Sequence, residues 1–102
     1  MRAIDLGILT AVAAGTAMAT TGLGFLPGEV AKAEIFSPSG AFVGTSRIQT
    51  SVDGTTWTDV GPAAHTTGGY NTYMITLSNW IRLNVTAFTS GNIKAVVFND
   101  IG

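Results

Sequence analysis

Few side chains in this chain can do chemistry. Its 102 residues include one histidine, His65, no cysteine, six acidic and five basic groups. The missing thiols exclude disulfide scaffolds, thiol nucleophiles and cysteine-ligated zinc. His65 stands among Pro62, Ala64, Thr66 and Thr67 with no adjacent carboxylate, so acid-base work would need partners folded in from elsewhere. Asp53 and Asp59 are conceivable calcium ligands, but a hard cation takes six or more oxygens and no Asp/Asn-rich loop supplies them. Four aromatic residues, Trp57, Tyr70, Tyr73 and Trp80, could make a platform for a sugar ring; the same residue types also fill β cores and subunit interfaces. A net charge of −1 with scattered bases gives no footprint for nucleic acid. The expectation is a protein without catalytic residues, metal or cofactor, one that works through its surfaces and is not an enzyme.

The elements that must position these residues read as antiparallel β. Thirteen glycines and fifteen threonines favour strands and turns over helices. Short runs of β-formers alternate with breakers: Ala33–Phe36, Phe42–Val52, Thr55–Val60, Tyr70–Leu77, Trp80–Phe88 and Ile93–Asn99. Ser37-Pro38-Ser39-Gly40 and Ser90-Gly91-Asn92 break the chain, and Gly61–Gly69 reads as a loop. The clearest alternation runs from Trp80, with Ile81, Leu83, Val85 and Ala87 on one face and Arg82, Asn84 and Thr86 on the other. Arg82 is placed to pair with an acid on a neighbouring strand or a neighbouring subunit, or to face solvent. The predicted inward set is Ile35, Ile48, Val52, Ile75, Leu77, Ile81, Leu83, Val85 and Val97. The fold class that follows is all-β, an antiparallel β-sandwich or jelly-roll-like barrel.

One hairpin carries a recognisable signal. Asp53-Gly54 between β-formers predicts a two-residue turn in which both residues have positive φ, with Trp57 packing beneath it. The run Ser51-Val52-Asp53-Gly54-Thr55-Thr56-Trp57 resembles the Asp-box of sialidase-type propellers, S-x-D-x-G-x-T-W, shortened by one residue between Asp and Gly.

The composition changes near residue 30, which suggests an arm over 1–30 and a β-sandwich domain over 31–102. From Leu6 to Gly28 there is no charged residue. Three readings are open for this stretch. A secretory signal would use Arg2, the apolar Leu6–Ala14 and the small-residue site Ala17-Met18-Ala19, against which stands the acid Asp5. A membrane helix has the length but is diluted by glycine and threonine. The preferred reading is an extended apolar arm that becomes ordered on a partner. Its contact residues would be Leu6, Ile8, Leu9, Val12, Leu23, Phe25 and Leu26. A body of about 72 residues makes a marginal core, so self-association is a natural source of further stability.

The runs IQTSVDGTTWTDVG and WIRLNVTAFTSGNIKAVVF, within Ile48–Asn99, resemble small β-sandwich structural proteins of tailed bacteriophages. The resemblance covers about half the chain and brings no catalytic residues with it. It implies a structural virion protein of the capsid decoration, or cement, type. Its partners would be the major capsid protein and copies of itself, a trimer favoured over a dimer, with no nucleic acid and no membrane. Its place would be the capsid surface. The alternative is a carbohydrate-binding module, secreted or at a phage tail or fibre.

Overall fold

The computed structural model describes residues 2–20, 25–26, 28–37, 42–67 and 70–99, with side chains for all of these except 2, 61–67, 70, 73 and 99. Every described element is a strand. β1 is Arg2–Leu9, β2 Ala13–Ala14, β3 Met18–Ala19, β4 Val30–Phe36 and β5 Val43–Ser51. β6 is Thr58–Thr67, β7 Tyr70–Thr76, β8 Trp80–Ser90 and β9 Ile93–Asn99. They form two antiparallel sheets: sheet A in the order β1-β9-β4-β7, and sheet B in the order β2-β8-β5-β6 with β3 also on β8. The chain crosses between sheets at β1 to β2, β3 to β4, β4 to β5, β6 to β7, β7 to β8 and β8 to β9. If β2 and β3 are counted as one interrupted strand, this is the eight-strand double Greek key of a jelly roll.

Alternation fills the space between the sheets. Eight of the nine residues predicted to face inward are buried: Ile35, Ile48, Ile75, Leu77, Ile81, Leu83, Val85 and Val97. The ninth, Val52, is 72% exposed. Its strand stops at Ser51, and the chain turns outward there before the alternation reaches it. Ala87, also expected inward, is exposed. The register slips between Ser46↔Val85 and Thr45↔Ala87, so Thr86 is an extra residue that reverses the faces beyond it. Phe88 then packs on the core instead, its ring centroid 6.2 Å from that of Phe42.

Two further expectations need correction. The predicted loop over 61–69 is strand as far as Thr67. β6 is the edge of sheet B, where proline is tolerated, and the shift between Ser46↔His65 and Ile48↔Val60 leaves three extra residues around Pro62 as a bulge. The other correction is the arm. Residues 2–9 do not extend from the body; they are β1, paired along β9 from Arg2↔Asn99 to Leu9↔Ile93. Ile4 and Leu6 join the same core as Ile35 and Val97, and so does Phe25.

Further described residues of the segment are also bonded to the body. The Gly15 amide donates to the Leu83 carbonyl, the Thr20 amide to that of Asn79 and the Gly28 amide to that of Leu77. Thr20 is fully buried, its hydroxyl donating to the Ser78 carbonyl. Within this uncharged stretch, β2 and β3 pair with β8 of the same chain. Charge does appear in β1, where a one-residue bulge sits between Asp5 and Ile8. Gly7 supplies the positive φ of 86° that the bulge requires, and its amide donates to Asp5 Oδ1 at 2.8 Å. Lys94 Nζ, 3.0 Å from Asp5 Oδ2, closes the latch from β9.

This placement separates two neighbouring leucine-like positions. Leu6→Ala removes a buried side chain and is expected to cost about 2–5 kcal/mol, whereas Ile8→Ala, half exposed, is expected to cost under about 1 kcal/mol. Denaturant unfolding of the two variants checks the difference. Equal small effects would mean that β1 does not hold the fold.

Candidate functional site

One set of polar contacts lies on sheet B and the loop at its end. Between β5 and β6, residues 52–57 form an open loop built around one carboxylate. Asp53 Oδ1 accepts from the Thr55 and Thr56 amides, each at 2.9 Å, and from the Ser51 hydroxyl at 3.0 Å. The Gly54 amide donates to Ser51 Oγ at 2.8 Å. The Thr56 and Thr55 amides, then the Ser51 hydroxyl, hold the Asp53 carboxyl well below the usual carboxylate range.

The two-residue turn predicted here is therefore not the turn formed. Gly54 has φ 82°, but no non-glycine residue has positive φ among those described, so Asp53 acts through its side chain and not through a left-handed backbone. Nor does Trp57 lie beneath the turn. The indole of Trp80 does: a Cβ on Gly54 would come within 3.3 Å of its Nε1. Asn79 Nδ2, donating to the Val52 carbonyl at 3.0 Å, ties the same loop to the β7–β8 connection.

Trp57 lies instead against the outward face of sheet B. The Arg82 guanidinium sits 4.1 Å from its ring centroid, a cation–π contact. Register places Gln49 opposite both Arg82 on β8 and Asp59 on β6. Arg82 Nε donates to Gln49 Oε1 at 2.9 Å, and Gln49 Nε2 donates to Asp59 Oδ1 at 2.9 Å. Arg47 Nε is 3.8 Å from Asp59 Oδ2. Arg82 thus reaches an acid on another strand, through a glutamine in between. The sequence held no local signal for this ladder, because its members come from three strands and meet only in register.

The sequence-predicted residues distribute as follows. Asp53 and Asp59 serve separate hydrogen-bond networks, and among the described residues no group of three or more His, Cys, Asp or Glu is placed to hold a metal ion. His65 pairs in backbone register with Ser46, and its side chain lies outside the described residues. Of the four aromatic residues, Trp57 and Trp80 belong to sheet B and its loop, while Tyr70 and Tyr73 are on β7 of sheet A with side chains outside the described set. Of the apolar contact set, Leu6 and Phe25 are core residues, 2% and 1% exposed, and are lost to any partner. Leu9 packs partly on the core, and Leu23 lies outside the described residues. Ile8, Val12 and Leu26 remain, 50%, 62% and 67% exposed. Among the described residues no helix is long and apolar enough to cross a membrane.

No protein family, curated protein or solved structure matches this chain.

The Asp53 loop makes stability depend on pH. Its folded pKa is depressed, so the ionised carboxylate stabilises the fold above the unfolded value of about 3.9 and that contribution is lost as pH falls through the folded value. Asp5 has the same sign, through its bond from Lys94 and then the Gly7 amide. Melting temperature is expected to fall on acidification below about pH 4, and Asp53→Asn to flatten that fall while lowering the melting temperature at neutral pH. Thermal melts across pH check it; parallel curves would contradict the assignment.

Proposed function

We infer that this chain is a structural virion protein, a capsid decoration protein that binds the major capsid shell and copies of itself at the capsid surface. The observation that carries the reading is the apolar surface left on a well-filled jelly roll. Ile8, Val12, Leu26, Val52 and Met74 are each half or more exposed in a chain of only 102 residues. Single exposed apolar residues are ordinary, but this many on so small a body suits contact with other protein. The architecture recurs in viral capsid and lectin domains, which supports the reading by analogy of fold alone. The sequence resemblance of Ile48–Asn99 to phage sandwich proteins points the same way.

Binding through a rigid body changes the mechanism expected from a threaded arm. Each small apolar contact is weak, and a second contact on the same rigid domain then forms at high effective concentration. Several copies around a seam between shell subunits would add such contacts without any new chemistry.

A carbohydrate-binding module, secreted or at a tail or fibre, is supported less well. It rests on Trp57 with its neighbour Arg82, which is bonded in turn to Gln49.

The reading is tested on particles from the source of the sequence. Mass spectrometry is expected to find the chain at a fixed ratio to the major capsid protein, and purified protein is expected to rebind shells stripped of it. Val12→Asp combined with Leu26→Asp should weaken rebinding by about tenfold or more with an unchanged melt. Absence from the particles would overturn the reading.

A further inference from the structure

The two outward faces of the sandwich differ in kind. On sheet B the side chains of β8, β5 and β6 answer one another through the Arg82–Gln49–Asp59 ladder. That face carries a ladder of polar groups bonded to one another. On sheet A the register lines up rows of another character. One row reads Ala3, Phe98, Lys32, Met74 across β1, β9, β4 and β7. The next reads Asp5, Val96, Glu34, Thr72. In the third, Ile8, Lys94 and Phe36 stand side by side.

Ala3, Glu34, Phe36, Val96 and Phe98 line a shallow trough on this face. Met74, at its margin, is 59% exposed. An antiparallel sheet that turns one side to water normally shows polar residues there; here an apolar band crosses all four strands.

The charges on the band are balanced. Asp5 and Glu34 share the middle row, while Lys32 and Lys94 occupy the rows on either side. Lys32 Nζ lies 5.7 Å from the Phe98 ring centroid, and Lys94 is bonded to Asp5. Such a pattern is its own complement. When two of these faces meet about a two-fold axis between the first and second rows, Lys32 of each copy comes over Glu34 of the other and Phe98 over Val96. A strongly acidic or basic partner gains no attraction from a neutral face.

We propose that the outward face of sheet A binds a second copy of this chain, enclosing Ala3, Phe36, Val96, Phe98 and Met74 between the two sheets. The proposal rests on the self-association included in the function above and names its surface. A domain this small has one thin core, and a second apolar layer shared with a copy adds what the single chain lacks.

Sedimentation of the full chain across a wide concentration range tests it. The wild type is expected to self-associate. Met74→Glu and Ala3→Glu, both at exposed positions, are each expected to raise the dissociation midpoint by about tenfold or more while leaving the far-ultraviolet dichroism and thermal melt as they are. Val52→Glu, exposed but on the loop at the end of sheet B, is expected to leave association unchanged. If the wild type associates and both sheet A variants associate equally well, or if Val52→Glu alone dissociates it, the face is wrong while self-association stands. A wild type that is monomeric at every concentration overturns self-association and the face together. Neither result bears on whether the chain is found in particles, which the capsid experiment decides separately.

Discussion

Ile4 and Leu6 have to lie between the two sheets, and the rest of the molecule is arranged around that requirement. Without them, β9 has a partner on one side only and the core loses two of its larger aliphatic side chains. A chain of 102 residues has little apolar volume to spare. The bulge at Gly7 follows from the same demand. It lets Leu9 turn back toward Ile93 and the core after Leu6, and it points Ile8 outward beside Lys94. The ion pair of Asp5 with Lys94 fixes the edge of the sheet at that point.

From this placement follows a division of labour between the faces. Sheet B joins its outward residues into a ladder of planar groups, in which a guanidinium lies on an indole and an amide bridges to a carboxylate. The Asp53 loop closes its end with three donors on a single oxygen. These interactions tie β8, β5 and β6 together across the outward face. Sheet A carries no comparable ladder among the described contacts and instead shows an apolar band with matched charges. A reading of this protein as a contact-making structural unit depends on that asymmetry more than on any single residue.

Much of the body was legible in the chain because period-two alternation is a local signal. Ile81, Leu83 and Val85 declare their face within five residues, and so do Ile75 and Leu77. The failures occur where a bulge resets the period. Thr86 turns Ala87 outward, and three extra residues near Pro62 make a strand look like a loop. Val52 fails for a related reason, since side-chain bonds from Ser51 and Asp53 end the strand one residue early. Residues 2–9 form β1, although low charge and many glycines make the stretch that begins there resemble a free arm. The correcting signal was present in Ala3-Ile4-Asp5-Leu6, a short apolar–polar alternation beside a glycine. The Trp57–Arg82–Gln49–Asp59 ladder could not be read at all, because strand register is a property of the folded sheet and not of any one segment.

The N-terminal strand is part of the body, paired along β9. Residue-resolved hydrogen exchange of the isolated protein tests this most directly. The β1 amides that face β9 are predicted to exchange as slowly as those of β8 and β9, through opening of the whole domain. Exchange of residues 3–9 at the rate of an unstructured peptide, with β8 and β9 still protected, would contradict it.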